Sequence, residues 1–307
     1  MSPFLREPVR EGEPVRFSLA SPEPLPAGLL AHTRHVFGAA CEKVAERSPE
    51  VPGLRTLSLF GVAGSDAAAL GPLRGELRGP ALALGVDCAL TRGKMAERGP
   101  RLIVSDVDST FIRGEAIDML ADAAGSGPRV AAITEAAMNG ELDFADSLRE
   151  RVATLRGVPE SVFAQVLAEV RPTPGAVELI GALHARGCRV GVVSGGFEEV
   201  VVPLAERLGI DHVAANRLEV AGGVLTGRVL GRIVDRQEKV RCLLTWAEQD
   251  GVPMERTIAV GDGANDLGML AAAGLGVAFC AKPVVVEQAD AAVHVRDLRA
   301  VLQLIQN

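Results

Sequence analysis

The sequence predicts an α/β protein: a doubly wound parallel sheet, a helical cap inserted after that sheet's first strand, and a small N-terminal α/β module ahead of it. Three observations carry this expectation. From Arg101 onward, short apolar runs alternate with amphipathic stretches, the pattern of parallel strands joined by crossover helices. Residues Glu115–Leu167 break that alternation with helical patterning and little strand character. The first hundred residues form a shorter strand–helix series of their own. The chain divides accordingly into residues 1–95 (module), 96–112 with 176–307 (core) and 113–175 (cap).

Along the chain, Val15-Arg16-Phe17-Ser18-Leu19 alternates with period two and reads as a strand. A helix is expected near Gly28–Lys43, a strand at Leu54–Phe60, a helix around Asp66–Leu77 and a strand near Val86–Leu90. The polar segment Arg92–Pro100, which contains breakers, reads as a linker. Arg101–Ser105 is a buried-strand run ending at Asp106. After the helical block, Ala176, Leu179, Ile180 and Leu183 mark one face of a helix stopped by Gly187. Cys188–Val193 is a strand running into Ser194-Gly195-Gly196. Pro203 then falls where a helix is due, which implies a late start or a kink. Leu218–Val229, with Ala221-Gly222-Gly223 at its centre, reads as a hairpin. Asp235-Arg236-Gln237-Glu238 is a capping box opening a helix through Glu248. Thr257–Gly261, Leu275–Phe279 and Ala291–Val295 are further strands.

Composition narrows the function classes. An apolar fraction of 48% supports a sizeable core, while a net charge of −7, no Tyr and one Trp (Trp246) argue against nucleic acid as a partner. The five cysteines are widely spaced with no C-x-x-C pair, so neither zinc nor a disulfide framework is expected. Met1–Pro8 carries no apolar leader core, and no run reaches the roughly 18 apolar residues of a membrane span. The expectation is therefore a cytoplasmic protein without a membrane partner. The sequence leaves a homodimer open.

Three clusters stand at the ends of predicted strands: Asp106-Val107-Asp108-Ser109-Thr110, Ser194-Gly195-Gly196, and Gly261-Asp262-Gly263-Ala264-Asn265-Asp266. Parallel strands would bring Asp106, Asp108, Asp262 and Asp266 together. Four carboxylates in one pocket repel unless they share a cation or take up protons. Oxygen donors without His or Cys favour Mg²⁺, and that combination suits phosphoryl transfer. Asp106 and Asp108 flank one residue and face the same way in extended chain, so one can attack while the other handles protons. Ser194 supplies a hydroxyl, Gly195 a close backbone N–H, and Lys239 a point charge.

These motifs, with Lys239 between the second and third, resemble the four motifs of the haloacid dehalogenase-like superfamily, whose phosphatases carry Asp-x-Asp. Glu115, the run Met138–Phe144, the run Ser147–Val152, Ala271–Ala278 and Ala281-Lys282-Pro283 are similar to the phosphoserine phosphatase family within it, from Arg101 to the C-terminus. The resemblance implies a phosphoserine substrate and Asp106 as the nucleophile. Asp108 would act as acid and then base. Mg²⁺ would be held by Asp106, Asp262 and the Asp108 backbone carbonyl, with Asp266 steadying the metal and Asn265 ordering the site. Ser194, Gly195 and Lys239 would cradle the phosphoryl group. Glu115 would meet the substrate ammonium and Arg151 its carboxylate, with Met138 and Phe144 lining the cap. Another small phosphomonoester, or transfer to another alcohol, stays open at this point. So do L- against D-phosphoserine and the module's ligand. A module that binds without chemistry is disfavoured by the converging carboxylates and by the lack of a nucleotide-binding glycine loop.

Overall fold

The computed structural model describes residues 10–64, 70–138 and 143–305. Residues 1–9, 66–69 and 139–142, on which parts of the sequence expectations fall, lie outside them. The chain opens with β1 (Pro14–Ser21), α1 (Ala27–Ala40), β2 (Cys41–Arg47), β3 (Arg55–Ala63), α2 (Leu70–Ala83) and β4 (Asp87–Arg92). It continues through α3 (Gly93–Arg98), β5 (Leu102–Ser105), α4 (Ala116–Ala123), α5 (Gly127–Met138), α6 (Phe144–Ala153), α7 (Val162–Glu169) and α8 (Ala176–His184). The rest comprises β6 (Arg189–Phe197), α9 (Glu198–Leu208), β7 (His212–Ala221), β8 (Val224–Leu230), α10 (Arg236–Gln249), β9 (Thr257–Gly261), α11 (Leu267–Ala272), β10 (Leu275–Phe279), α12 (Pro283–Gln288), β11 (Ala291–Val293) and α13 (Leu298–Ile305).

The strands form one eleven-stranded sheet in the order β2-β3-β1-β4-β11-β10-β9-β5-β6-β7-β8. The stretch from β11 to β7 is parallel throughout. Its strands are apolar end to end where helices cover both faces: Ile103, Val190, Val260 and Val277 fall in one core cluster, Leu102, Val104, Ala259 and Ala278 in another. The four N-terminal strands pair antiparallel and have a core of their own around Phe17, Phe37, Leu57 and Leu77.

β4 meets β11 through the Cys88–Ala292 pair, so the N-terminal strands continue the same sheet, and Arg74 reinforces the seam by donating to the Ala289 carbonyl, as Arg78 does to that of Val286. Two sequence expectations are corrected. The segment read as a linker holds helix α3, whose Met95 and Ala96 are buried; breakers at its ends, Gly93 and Gly99, delimit a helix rather than prevent one. The first helix stops at Ala40 rather than Lys43, because β-edge pairing of Cys41–Arg47 with β3 takes over. Pro203 lies inside α9, which starts on time at Glu198. Proline has no N–H to give the Glu199 carbonyl one turn back.

Two features bear on the site. Helices α4–α7 fall between β5 and β6, in the chain where the helical block was expected. The β7–β8 hairpin turns at Gly222-Gly223, both at positive φ (60° and 78°), the conformation a two-residue hairpin turn demands. Among the described residues no helix is long and apolar enough to cross a membrane, and all five cysteines are free.

Candidate active site

Three neighbouring parallel strands deliver the chemistry-bearing residues. β5 lies between β9 and β6, with Ser105 level with Val260 on one side and Val192 on the other. Asp106 follows β5, Asp262 follows β9, and Ser194–Gly196 close β6. Their convergence is thus a consequence of register, at the carboxyl ends where open α/β sheets bind ligands.

Asp106, Asp262 and Asp266 each place a carboxylate oxygen within 4.8 Å of the others. Lys239, in the first turn of α10, is fully buried and donates to Asp106 Oδ1 (2.6 Å) and Asp266 Oδ1 (2.7 Å). Asp235 accepts the Glu238 N–H (2.8 Å), capping α10 and fixing that turn. Asp266 Oδ2 accepts the Gly263 N–H (3.0 Å), so both oxygens of Asp266 are engaged. Thr110 donates to Asp262 Oδ1 (3.1 Å).

Asp108 faces elsewhere. Its Oδ1 accepts the Ala116 N–H (2.7 Å) at the start of α4, and its Oδ2 accepts the Ser194 hydroxyl (2.8 Å). The Gly196 N–H donates to Ser194 Oγ (2.7 Å). The Ser194 hydroxyl thus orients Asp108, and Ser194 is not among the residues that line the cavity. A methyl on Gly196 would lie 2.8 Å from Asp108 Oδ2 and 2.9 Å from Ser194 Oγ. Gly196→Ala should consequently displace Asp108 and lower kcat by about 100-fold, the scale of an ångström-level misplacement. A steady-state assay with a thermal melt checks this; unchanged kcat would show that the Asp108 position is not critical.

A cavity of about 500 Å³ opens over these groups. Of the residues singled out by sequence, Asp106, Asp108, Glu115, Phe144, Arg151, Gly195, Asp262 and Asn265 line it. Lys239 and Asp266 sit behind the wall, and the Met138 side chain lies outside the described residues. Phe144 packs over Gly195, where an added Cβ would approach its ring to 3.2 Å. Glu115 accepts the Ser109 hydroxyl (2.9 Å). Ser109 itself is held at φ 57°, a left-handed conformation, with Arg296 donating to its carbonyl (3.0 Å). Ser147 and Lys282, which the sequence offered only within family-like runs and without a role, lie on the wall; sequence reasoning missed Asn216, which donates to the Gly195 carbonyl (2.8 Å) and accepts the Val234 N–H (2.8 Å). Asn216 carries no local signal, since it acts across β6 and β7.

The charges follow the geometry. Burial, then the charge of Asp266, pushes Asp106 and Asp262 above the ordinary carboxylate value. Burial also raises Asp108, although the Ala116 and Ser194 hydrogen bonds oppose it. Burial and then Asp108 push Glu115 up to about 7, an effect that solvent at its exposed face screens. For Lys239 burial pulls downward, and Asp106 and Asp266 more than reverse it, so the ammonium is held on.

The comparisons match this geometry. The model of the haloacid dehalogenase-like hydrolases matches residues 103–271, more than half of the chain. The chain belongs to the haloacid dehalogenase-like hydrolase family. Among the relatives of this hydrolase is phosphoserine phosphatase SerB2 of Mycobacterium tuberculosis, 48% identical over 279 residues, which are 89% of this chain and 68% of the relative. A phosphoserine phosphatase solved as an analogue of its phospho-aspartyl intermediate is 44% identical, with a TM-score of 0.64 over 68% of this chain and 100% of its own. A HAD family hydrolase from Salmonella enterica serovar Typhi aligns over 96% of this hydrolase and 99% of its own chain, at 28% identity and a TM-score of 0.81.

Proposed function

We propose that this hydrolase is a phosphoserine phosphatase that hydrolyses O-phosphoserine to serine and phosphate, the closing step of serine synthesis, through a phosphorylated Asp106. The observation that carries the reading is the cavity itself. An ammonium reader (Glu115) and a carboxylate reader (Arg151) share its wall with the Asp106–Asp108 pair. A phosphorylated amino acid presents an ammonium, a carboxylate and a phosphate, and the pocket answers each.

In this reading Asp106 attacks phosphorus and the ester P–O bond breaks. Asp108 gives its proton to the leaving serine oxygen, then takes one from the water that opens the aspartyl phosphate. Its raised pKa supports an acid that holds a proton in the buried site. Asp108 can serve both halves only if it is aimed, which the Ser194 and Ala116 contacts support. Gly195 brings its backbone close to the phosphoryl group and Lys239 supplies fixed positive charge beside Asp106. Helices α4–α7 act as a cap over the site, with Phe144 on the cavity wall. Residues 1–95 act as an accessory module.

The donor set fits a hard divalent cation: all oxygen, crowded, and with carboxyls pushed upward by burial and by the charge of Asp266. Asp106, Asp262 and the Asp108 backbone carbonyl would hold Mg²⁺, with Asp266 steadying it. Bound there, Mg²⁺ would neutralise charge developing on the phosphoryl oxygens. The deciding experiment is phosphate release from phosphoserine against a panel of small phosphomonoesters, with Mg²⁺ and with chelator. Equal rates across the panel would sink the substrate assignment.

Linkage gives a second expected result. The raised carboxyls bind more protons folded than unfolded, so their contribution to stability is fully present below about pH 3.9 and is lost as pH rises through their folded values. The metal-free protein thus carries a growing penalty toward neutrality, which Mg²⁺ removes. In urea unfolding, the gap between Mg²⁺ and chelator curves should widen as pH rises above the ordinary carboxylate range. A gap that narrows would contradict the charge cluster.

A further inference from the structure

Helix α6 presents Phe144, Ser147, Leu148 and Arg151 to the cavity at spacings of three and four residues, one continuous stripe. The role of Ser147 in this stripe is unexplained by anything above. The residue lines the cavity and is only 2% exposed, and its hydroxyl has no hydrogen-bond partner among the described residues. A buried hydroxyl without a partner destabilises the free protein, so alanine would be the better residue here if packing were its only task.

Arg151 shows what the hydroxyl lacks. Its Nε is already committed to the Ser147 carbonyl oxygen (3.3 Å), one turn back. That leaves its terminal nitrogens for a ligand. A carboxylate has about four lone-pair directions, so two bonds from the guanidinium leave room for another donor. The Ser147 hydroxyl, one helical turn away on the same face, is such a donor.

We propose that Ser147 is a specificity-determining residue, its hydroxyl donating to the substrate's α-carboxylate beside Arg151. The inference rests on the phosphoserine reading and extends it: the carboxylate is read by two residues of α6, one charged and one neutral. The hydroxyl then gains its partner only when an amino-acid ester is bound, so the destabilisation of the free protein is relieved by the correct substrate. An ester lacking the carboxylate leaves it unpaired.

The test compares O-phosphoserine with O-phosphoethanolamine, which keeps the ammonium and the phosphate and lacks the carboxylate. Ser147→Ala should lower kcat/KM for phosphoserine at least tenfold, the scale of one hydrogen bond to a charged group, mainly through KM. It should change phosphoethanolamine turnover less than twofold. The melting temperature of the ligand-free variant should hold or rise. An equal fall on both substrates, or a lowered melting temperature, would make Ser147 a structural residue and overturn the proposal. No change on phosphoserine would overturn it as well. If the unaltered protein releases no phosphate from phosphoserine, the functional reading fails first and takes this inference with it.

Discussion

Asp106→Asn should lower phosphate release by on the order of 10⁴-fold or more without unfolding the protein, the scale seen when a catalytic nucleophile is removed. The amide is nearly the same shape, and its oxygen can still accept from Lys239, which now donates to Asp106 Oδ1 at 2.6 Å. What disappears is the negative oxygen that can bond to phosphorus. The substitution also removes one charge from a crowded cluster in which Asp266 and Asp108 both push Asp106 upward. The metal-free variant should therefore melt no lower than the unaltered protein, while the gain on adding Mg²⁺ shrinks. Thermal melts with and without chelator, beside a phosphate-release assay, check both halves. Residual turnover above a few per cent would remove Asp106 from the nucleophile's role.

Lys239→Met carries the largest expected stability effect. The ammonium is fully buried between Asp106 and Asp266. Methionine fills a similar volume and leaves both carboxylates without their counter-charge. Breaking a buried pair in this way costs about 3–5 kcal/mol. Urea unfolding at neutral pH should show that loss, saturating Mg²⁺ should restore part of it, and the loss should fade at acid pH as Asp106, whose carboxyl burial holds above the ordinary range, takes up a proton. Turnover should fall along with it. Unchanged stability at neutral pH would mean that Lys239 does not balance the cluster.

Much of this site was legible because motif residues at strand ends inherit their positions from the sheet. Asp106, Asp262 and Gly195 converge because β5, β9 and β6 are parallel neighbours in register. Period-two and apolar-run patterns located β1, β5, β9 and β10 to within a residue or two for the same reason. What stayed illegible was set by partners distant in sequence. Strand β2 exists because β3 offers an edge, α3 because Met95 and Ala96 find a buried face, and the single sheet because Cys88 meets Ala292. Ser194 reads in sequence as a phosphate donor. Only three dimensions reveal that Asp108, 86 positions earlier, claims its hydroxyl.

The β7–β8 hairpin bears on how a substrate gets in. The segment just past α6 is stitched to it: the Gly157 N–H donates to the Leu225 carbonyl (2.8 Å), the Leu225 N–H to that of Val158 (2.8 Å), and the Glu160 N–H to that of Gly223 (3.0 Å). Swinging α6 outward with these bonds intact drags the hairpin tip along as one paddle, leaving the flexing to chain on either side of it. Hydrogen exchange at Gly157 and Leu225 would then stay slow while the entrance gapes, because neither amide loses its acceptor in that motion.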